Sequence, residues 1–188
     1  RIPQYIISAI QDDAIKIYYQ PQFCLVGDCF EIIGVEALLR PDPKICNVAQ
    51  LIESAISTNH IVELGYWIIR MAAQQLKAWV DSGLVNDKFT MAINVAGDQL
   101  HDYHFCRRVH TIITSAGLTP SQITLELTES SMINDMNIVK IYRLVDAGFS
   151  ISIDDFGTGY SSLDRLKRLP IHEIKIDKSF VDDIESTD

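Results

Sequence analysis

Apolar side chains recur at helical spacing in three stretches: Ile61, Leu64, Ile68, Ala72, Leu76, Trp79 and Val80; Phe105, Val109, Ile112, Ile113 and Ala116; and Ile138, Ile141, Tyr142 and Val145. One-sided stripes with a period near 3.6 predict amphipathic helices. Each stretch runs into the same punctuation of small residue, glycine and large apolar residue: Ser82-Gly83-Leu84, Ala116-Gly117-Leu118 and Ala147-Gly148-Phe149. Glycine just past a helix takes the left-handed conformation that ends it, and the apolar residue after it packs back on the last turn. Beyond each stop comes a short β-branched run: Phe89 to Val95, Ile123 to Thr128 and Ser150 to Asp154. A further run, Glu173 to Ile176, follows a short helical segment ending at Leu169-Pro170. Upstream, Ile15 to Val26 and Glu31 to Leu39 read as two strands joined around Gly27-Asp28. A hairpin followed by alternating strands and helices with short links predicts a parallel sheet covered by helices, with about six strands.

Strand parity adds a functional expectation. In Ile123 to Thr128 the apolar residues take one face, and Thr124, Glu126 and Thr128 the other. Ile151 and Ile153 oppose Ser150, Ser152 and Asp154; Met91, Ile93 and Val95 oppose Ala92 and Asn94; Ile174 and Ile176 oppose Lys175 and Asp177. Alternate residues of a strand point to opposite sides. With helices over the apolar faces, the other faces converge on a common interior, as in a (β/α) barrel, and the polar groups sit near its C-terminal mouth.

Composition narrows the class. The chain has 188 residues, 47% hydrophobic, enough for one core. Its net charge of -9 argues against gripping polymeric nucleic acid, where a basic face would carry the affinity. No apolar run is long enough to span a membrane and no secretory leader is evident, so cytoplasmic placement is expected. The first residue is Arg1, which suggests a piece of a longer protein. Cys24, Cys29, Cys46 and Cys106 form no Cys-x-x-Cys pair and are expected to be reduced. The stretch His101 to Cys106 resembles a metal motif but sits at a helix start, and is expected to be its exposed edge.

The candidates gathered at one mouth are Glu36, Asn94, Glu126, Asp154, Asp155 and Lys175, with Asp177 and Glu129 nearby. Taken singly, each has an ordinary structural reading as an edge residue, a cap or a solvated charge. Together, several carboxylates and an amide oxygen repel one another unless cations neutralise them. All-oxygen donors favour Mg²⁺ or Mn²⁺, and adjacent aspartates suit a two-metal site for phosphoester hydrolysis.

The segments Tyr19-Gln20-Pro21, Glu36-Ala37-Leu38-Leu39-Arg40, the strand ending at Asn94, Glu126-Leu127-Thr128-Glu129-Ser130, Asp154-Asp155-Phe156-Gly157-Thr158-Gly159-Tyr160-Ser161-Ser162-Leu163 and Lys175-Ile176-Asp177 occur in that order. Together they closely resemble the EAL-domain phosphodiesterases, which hydrolyse the bacterial messenger cyclic di-GMP to linear pGpG. The resemblance implies an α/β, TIM-like (β/α)8 barrel with an antiparallel first strand, here lacking the last two β/α units. It makes residues 1–188 a C-terminally incomplete EAL domain of a longer protein. It implies that Glu36, Asn94, Glu126 and Asp154 hold a first Mg²⁺ or Mn²⁺, that Asp154 bridges to a second, and that Asp155 binds that second ion. Lys175 would orient the nucleophilic water, Asp177 would support the second metal's water shell, and Gln20 and Arg40 would contact substrate. Glu129 would hold the loop containing Gly157, Thr158, Gly159 and Tyr160, which lies at a homodimer interface in the family.

The departures are Pro41 where many members carry Trp, Ala96 where Ser is usual, Asp98 where Arg is common, and a slightly short interval between Glu126 and Asp154. A later catalytic Glu and a Gln-Gly motif have no counterpart before Asp188. An inactive cyclic di-GMP receptor of the same fold is the alternative reading, although such members usually lose ligands that are present here. An unrelated metal-dependent barrel does not explain the long loop motif.

Overall fold

The hairpin and the alternating units assemble into one curled sheet whose strand order equals their order in the chain. The computed structural model describes residues 2–12, 15–132, 134–157 and 169–180. The elements are α1 (Ile2–Asp12), β1 (Lys16–Val26), β2 (Cys29–Arg40), α2 (Val48–Ser57), α3 (Ile61–Asp81), β3 (Thr90–Val95), α4 (Phe105–Ser115), β4 (Ile123–Thr128), α5 (Asp135–Asp146), β5 (Ser150–Phe156) and β6 (Glu173–Ile176). Short 3₁₀ turns follow β3 (Gly97–His101), β4 (Glu129–Met132) and β6 (Lys178–Phe180). β1 pairs antiparallel with β2, and every later pair is parallel. This is the first part of a (β/α) barrel with an inverted opening strand, as the sequence predicts.

All three helix stops form as expected. Gly83, Gly117 and Gly148 have φ of 71°, 79° and 97°. Behind them, the amides of Leu84, Leu118 and Phe149 reach back to the carbonyls of Trp79, Ile113 and Leu144 at 3.0, 3.2 and 3.1 Å. That closure satisfies carbonyls the helix end would otherwise leave bare.

One face of the sheet is sealed by helices. Val35, Ala37, Met91, Ile93, Val95, Leu125, Leu127, Ile151 and Ile153 pack against Ile69, Ala72 and Leu76 of α3, Phe105, Val109 and Ile113 of α4, and Ile141 and Leu144 of α5. Each large aliphatic side chain buried here contributes about 1.5–3 kcal/mol.

Two helices, α1 and α2, lie outside the elements read from periodicity. They build a second cluster around Ile6, Leu51 and Ala55 with Leu64 and Trp67 of α3 and Leu39 of β2. Their presence explains why α3 is buried on a second side, where Ile61, Leu64 and Trp67 join this cluster while Ile69 and Ala73 face the sheet. The start of α2 carries a signal: Asn47 Oδ1 accepts from the Gln50 amide at 2.9 Å while Gln50 Oε1 accepts from the Asn47 amide at 3.0 Å. This reciprocal capping box marks a helix start. The cysteines are free thiols, and α4 begins at Phe105 just after the His101 to His104 stretch. The short helix expected before Leu169 lies outside the described residues.

Candidate active site

Register brings the polar positions into one layer. Asn94 stands opposite Glu126, which stands opposite Ser152, while Gln20 stands opposite Glu36 across the hairpin. Asn94 Nδ2 donates to Glu36 Oε1 at 2.8 Å, and Lys175 Nζ donates to Glu36 Oε2 at 2.9 Å. The same ammonium forms an ion pair with Glu126 Oε1. Side chains of four strands, β2, β3, β4 and β6, thus meet. Glu126 is only 1% exposed, and its Oε2 makes no hydrogen bond among the described residues. A buried carboxylate oxygen without a partner is costly, and a cation is the natural complement.

The electrostatics of the layer follow from burial and from one ammonium shared by two acids. Burial, reinforced by the charges of Glu36 and Asp154, raises Glu126 to about 7 even though Lys175 opposes the shift. Burial also acts to raise Glu36, but the hydrogen bonds from Lys175 and Asn94 outweigh it and hold this carboxyl below its ordinary value. For Lys175, burial is overcome by the bonds to Glu126 and Glu36, so the ammonium is strengthened.

The two adjacent aspartates are reconciled by an irregularity. In a regular strand, Asp154 and Asp155 would face opposite sides. The β5–β6 register shifts between Ile153 and Phe156, and Asp155 has a positive φ of 53°. Left-handed backbone at a non-glycine residue costs of order 1 kcal/mol and concentrates at functional sites. Asp155 is raised by desolvation and then by the charges of Asp154 and Asp177. Asp177 is lowered by two hydrogen bonds from Ser179, one from the hydroxyl and one from the amide at 2.9 Å.

Beyond the strands, the Gly157 amide donates to Glu129 Oε2 at 3.3 Å, linking the ends of β4 and β5. A Cβ on Gly157, whose φ is 101°, would lie 2.6 Å from the Phe180 ring, so only glycine fits there. Thr158, Gly159 and Tyr160, the expected dimer-loop residues, lie outside the described residues. Arg40 lines a cleft of about 330 Å³ together with Asn94, Thr128 and Leu38. Its Nη1 donates to the Leu39 carbonyl at 2.9 Å, and its guanidinium lies 5.9 Å from the centre of the Tyr18 ring. A larger cavity of about 530 Å³ lies elsewhere, among Tyr19, Trp79, Leu84 and Phe89, and no charged group lines it among the described residues. Chemistry therefore favours the smaller cleft.

Sequence reasoning missed Gln99 and Gly65. Gln99 is buried and its Oε1 accepts from the Ala96 amide at 2.7 Å, two residues past Asn94. It lies across Gly65 of α3 so closely that a Cβ there would come within 1.3 Å of its Nε2. The spacing Ala96-x-x-Gln99 is half of a capping box, a faint but real signal. Ser152, in sequence only a polar strand position, donates its hydroxyl to Glu173 Oε1 at 2.9 Å.

The oxygen donors and the orphaned Glu126 Oε2 suit a hard divalent ion. As the side chains stand, with Lys175 between Glu36 and Glu126, no group of three His, Cys, Asp or Glu residues among those described is gathered closely enough to hold one. No helix among the described residues is long and apolar enough to cross a membrane.

Comparison with known proteins agrees with this fold. The family model for the EAL domain matches residues 5–188. The signaling protein YkoW of Bacillus subtilis is 37% identical over 184 residues, 95% of this chain and 22% of its own length. The bifunctional diguanylate cyclase/cyclic di-GMP phosphodiesterase MucR of Pseudomonas aeruginosa is 35% identical over 182 residues, covering 94% of this chain and 26% of MucR. The chain thus spans about a quarter of the length of these curated relatives. Among solved structures, the MucR phosphodiesterase in complex with c-di-GMP superposes with a TM-score of 0.87 at 34% identity, covering 99% of this chain and 76% of that one.

Proposed function

The chain belongs to the EAL-domain family, and from that premise we propose that it hydrolyses cyclic di-GMP to linear pGpG. The observation that carries this reading is the polar layer of Glu36, Asn94, Glu126 and Lys175, with an unpartnered buried oxygen at its centre. Glu36, Asn94, Glu126 and Asp154 would hold one Mg²⁺ or Mn²⁺, and Asp154 and Asp155 a second. Bound there, the ions would activate water and neutralise charge on the departing 3′ oxygen.

The chain's own residues have separate tasks. Lys175, strengthened as a cation by Glu36 and Glu126, donates a hydrogen bond that orients the attacking water toward phosphorus. Glu36 is held ionised by Asn94 and Lys175, so it stays available as a donor oxygen. Asp177, kept ionised by Ser179, accepts from water at the second position. Gln20, opposite Glu36 on the same face of the hairpin, offers its amide to substrate. Arg40, fixed in charge and forked in geometry, suits a phosphate at the cleft edge. Glu129 holds the Gly157 end of the following loop, a loop we assign to a homodimer contact. The domain acts in the cytoplasm on a soluble bacterial messenger.

The test is incubation of the full chain with cyclic di-GMP and Mn²⁺ or Mg²⁺, with chromatography of the products. pGpG that disappears with chelator, and in Glu36→Ala, is expected. Tight binding with no product would show a receptor, and full turnover by Glu36→Ala would remove Glu36 from the mechanism.

A further inference from the structure

The inner face of α5 carries two buried polar side chains that the mechanism does not use. Asn137 is 3% exposed and Lys140 is 9% exposed, three residues apart and so on one helical face. Burying an ammonium is costly unless its hydrogen bonds are made. Among the described residues no carboxylate pairs with Lys140. Its Nζ instead donates to the carbonyls of Leu100 and Asp102, the latter at 2.9 Å. These carbonyls close the 3₁₀ turn Gly97–His101, whose carbonyl end is negative and favours a cation. Asn137 Nδ2 donates to the Ser131 carbonyl at 2.8 Å, inside the turn Glu129–Met132.

The two grips reach the two loops that leave the ligand-bearing strands β3 and β4. The first loop starts two residues past Asn94, and the second starts three past Glu126. They also abut one another, since a Cβ on Gly97 would come 2.9 Å from Ser131 Oγ. Ser131 Oγ in turn lies 2.8 Å from Thr128 Oγ1 at the end of β4. The far end of the first turn is held from two further helices: Tyr66 of α3 donates to Asp102 Oδ2 at 2.5 Å, and Arg108 of α4 lies 3.7 Å from it.

We infer that Asn137 and Lys140 are positioning residues, a clasp on α5 that locks together the loops after β3 and β4 and so holds the mouth of the site beside Asn94 and Glu126 in the shape that takes a metal ion. The inference rests on the metal-dependent reading above. An apolar residue of similar length at position 140 would fill the same space, so packing alone does not explain a lysine.

The experiment uses the full chain with Lys140→Met and, separately, Asn137→Ala. Thermal unfolding in chelator, Mn²⁺ binding by calorimetry at 25 °C, and amide exchange by mass spectrometry are measured for each. Expected are a drop in Tm of no more than about 10 °C, faster exchange in residues 96–102 and 128–132, and Mn²⁺ binding weakened about tenfold or more. A merely structural role would lower Tm and leave affinity at 25 °C unchanged, and that result overturns the clasp. If Lys140→Met does not fold, Asn137→Ala decides by the same readings. A wild-type chain that binds no Mn²⁺ overturns the proposed function and the clasp together; a wild type that binds, with variants that bind equally well, overturns the clasp alone.

Discussion

Leu125 and Glu126 are neighbours in β4, each 1% exposed, and they serve opposite ends. Leu125 points into the helix layer, where its worth lies in apolar area removed from water. Glu126 points into the polar layer, where burial raises it to about 7 and leaves one oxygen without a hydrogen bond. Ile93 against Asn94 and Ile153 against Asp154 repeat the division of faces, although there the polar neighbour is the less buried of the two. One parity of each strand supplies the stability that the other parity spends on strained electrostatics. Equal burial therefore carries no information about role; the partners do.

The sharpest way to break that contrast is Leu125→Ala. It should cost about 2–5 kcal/mol in a urea titration, with turnover per folded molecule unchanged. A loss of metal affinity at low temperature would mean that the two faces are not separable. Next in size, Gly65→Ala should cost about 1–3 kcal/mol. Although it changes a helix in the outer layer, it should also weaken Mn²⁺ binding, because the new methyl displaces Gln99 and frees the Ala96 amide. Unchanged affinity would confine Gln99 to packing.

A third test concerns pH. Glu126 is raised from 4.5 to about 7, so between these values the folded chain binds a proton that the unfolded chain does not. The metal-free protein should therefore lose stability through this residue as pH rises from 4.5 to 7. Glu36, lowered, works in the opposite sense below 4.5. Glu126→Gln should flatten the upper range and raise Tm at pH 8 in chelator by about 5 °C. An unaltered profile would assign the pH dependence to another group. The smallest effect is expected of Asn47→Ala, which removes the α2 cap for about 1 kcal/mol and should leave Mn²⁺ binding untouched.

The parts legible in the sequence were those with a local cause. The three glycine stops, the hairpin around Gly27-Asp28 and the parity of β3, β4, β5 and β6 each depend on residues within a few positions of one another. The gathering of Asn94, Glu126 and Lys175 follows from parity once a closed sheet is assumed, and Glu36 joins them through the pairing of β2 with β3. What escaped depended on distant partners. Nothing in Asp154-Asp155 announces a register shift, because the shift arises from pairing with residues 20 or 21 positions on. Gln99 finds its place against Gly65, and Lys140 against carbonyls some forty residues earlier. The second helix cluster was missed for another reason, since the capping box at Asn47 was available to be read.

The sequential strand order has a kinetic consequence. Each strand pairs with the one made just before it, so no partner need be awaited from a remote part of the chain. Closing loops of one strand-helix unit at a time keeps the entropy cost of each step small. On the ribosome the β1–β2 hairpin can form first and act as a template, and each later unit adds at the growing edge as it emerges. Of Glu36, Asn94, Glu126 and Lys175, the lysine is then the last to arrive, and it meets two carboxylates already waiting on β2 and β4.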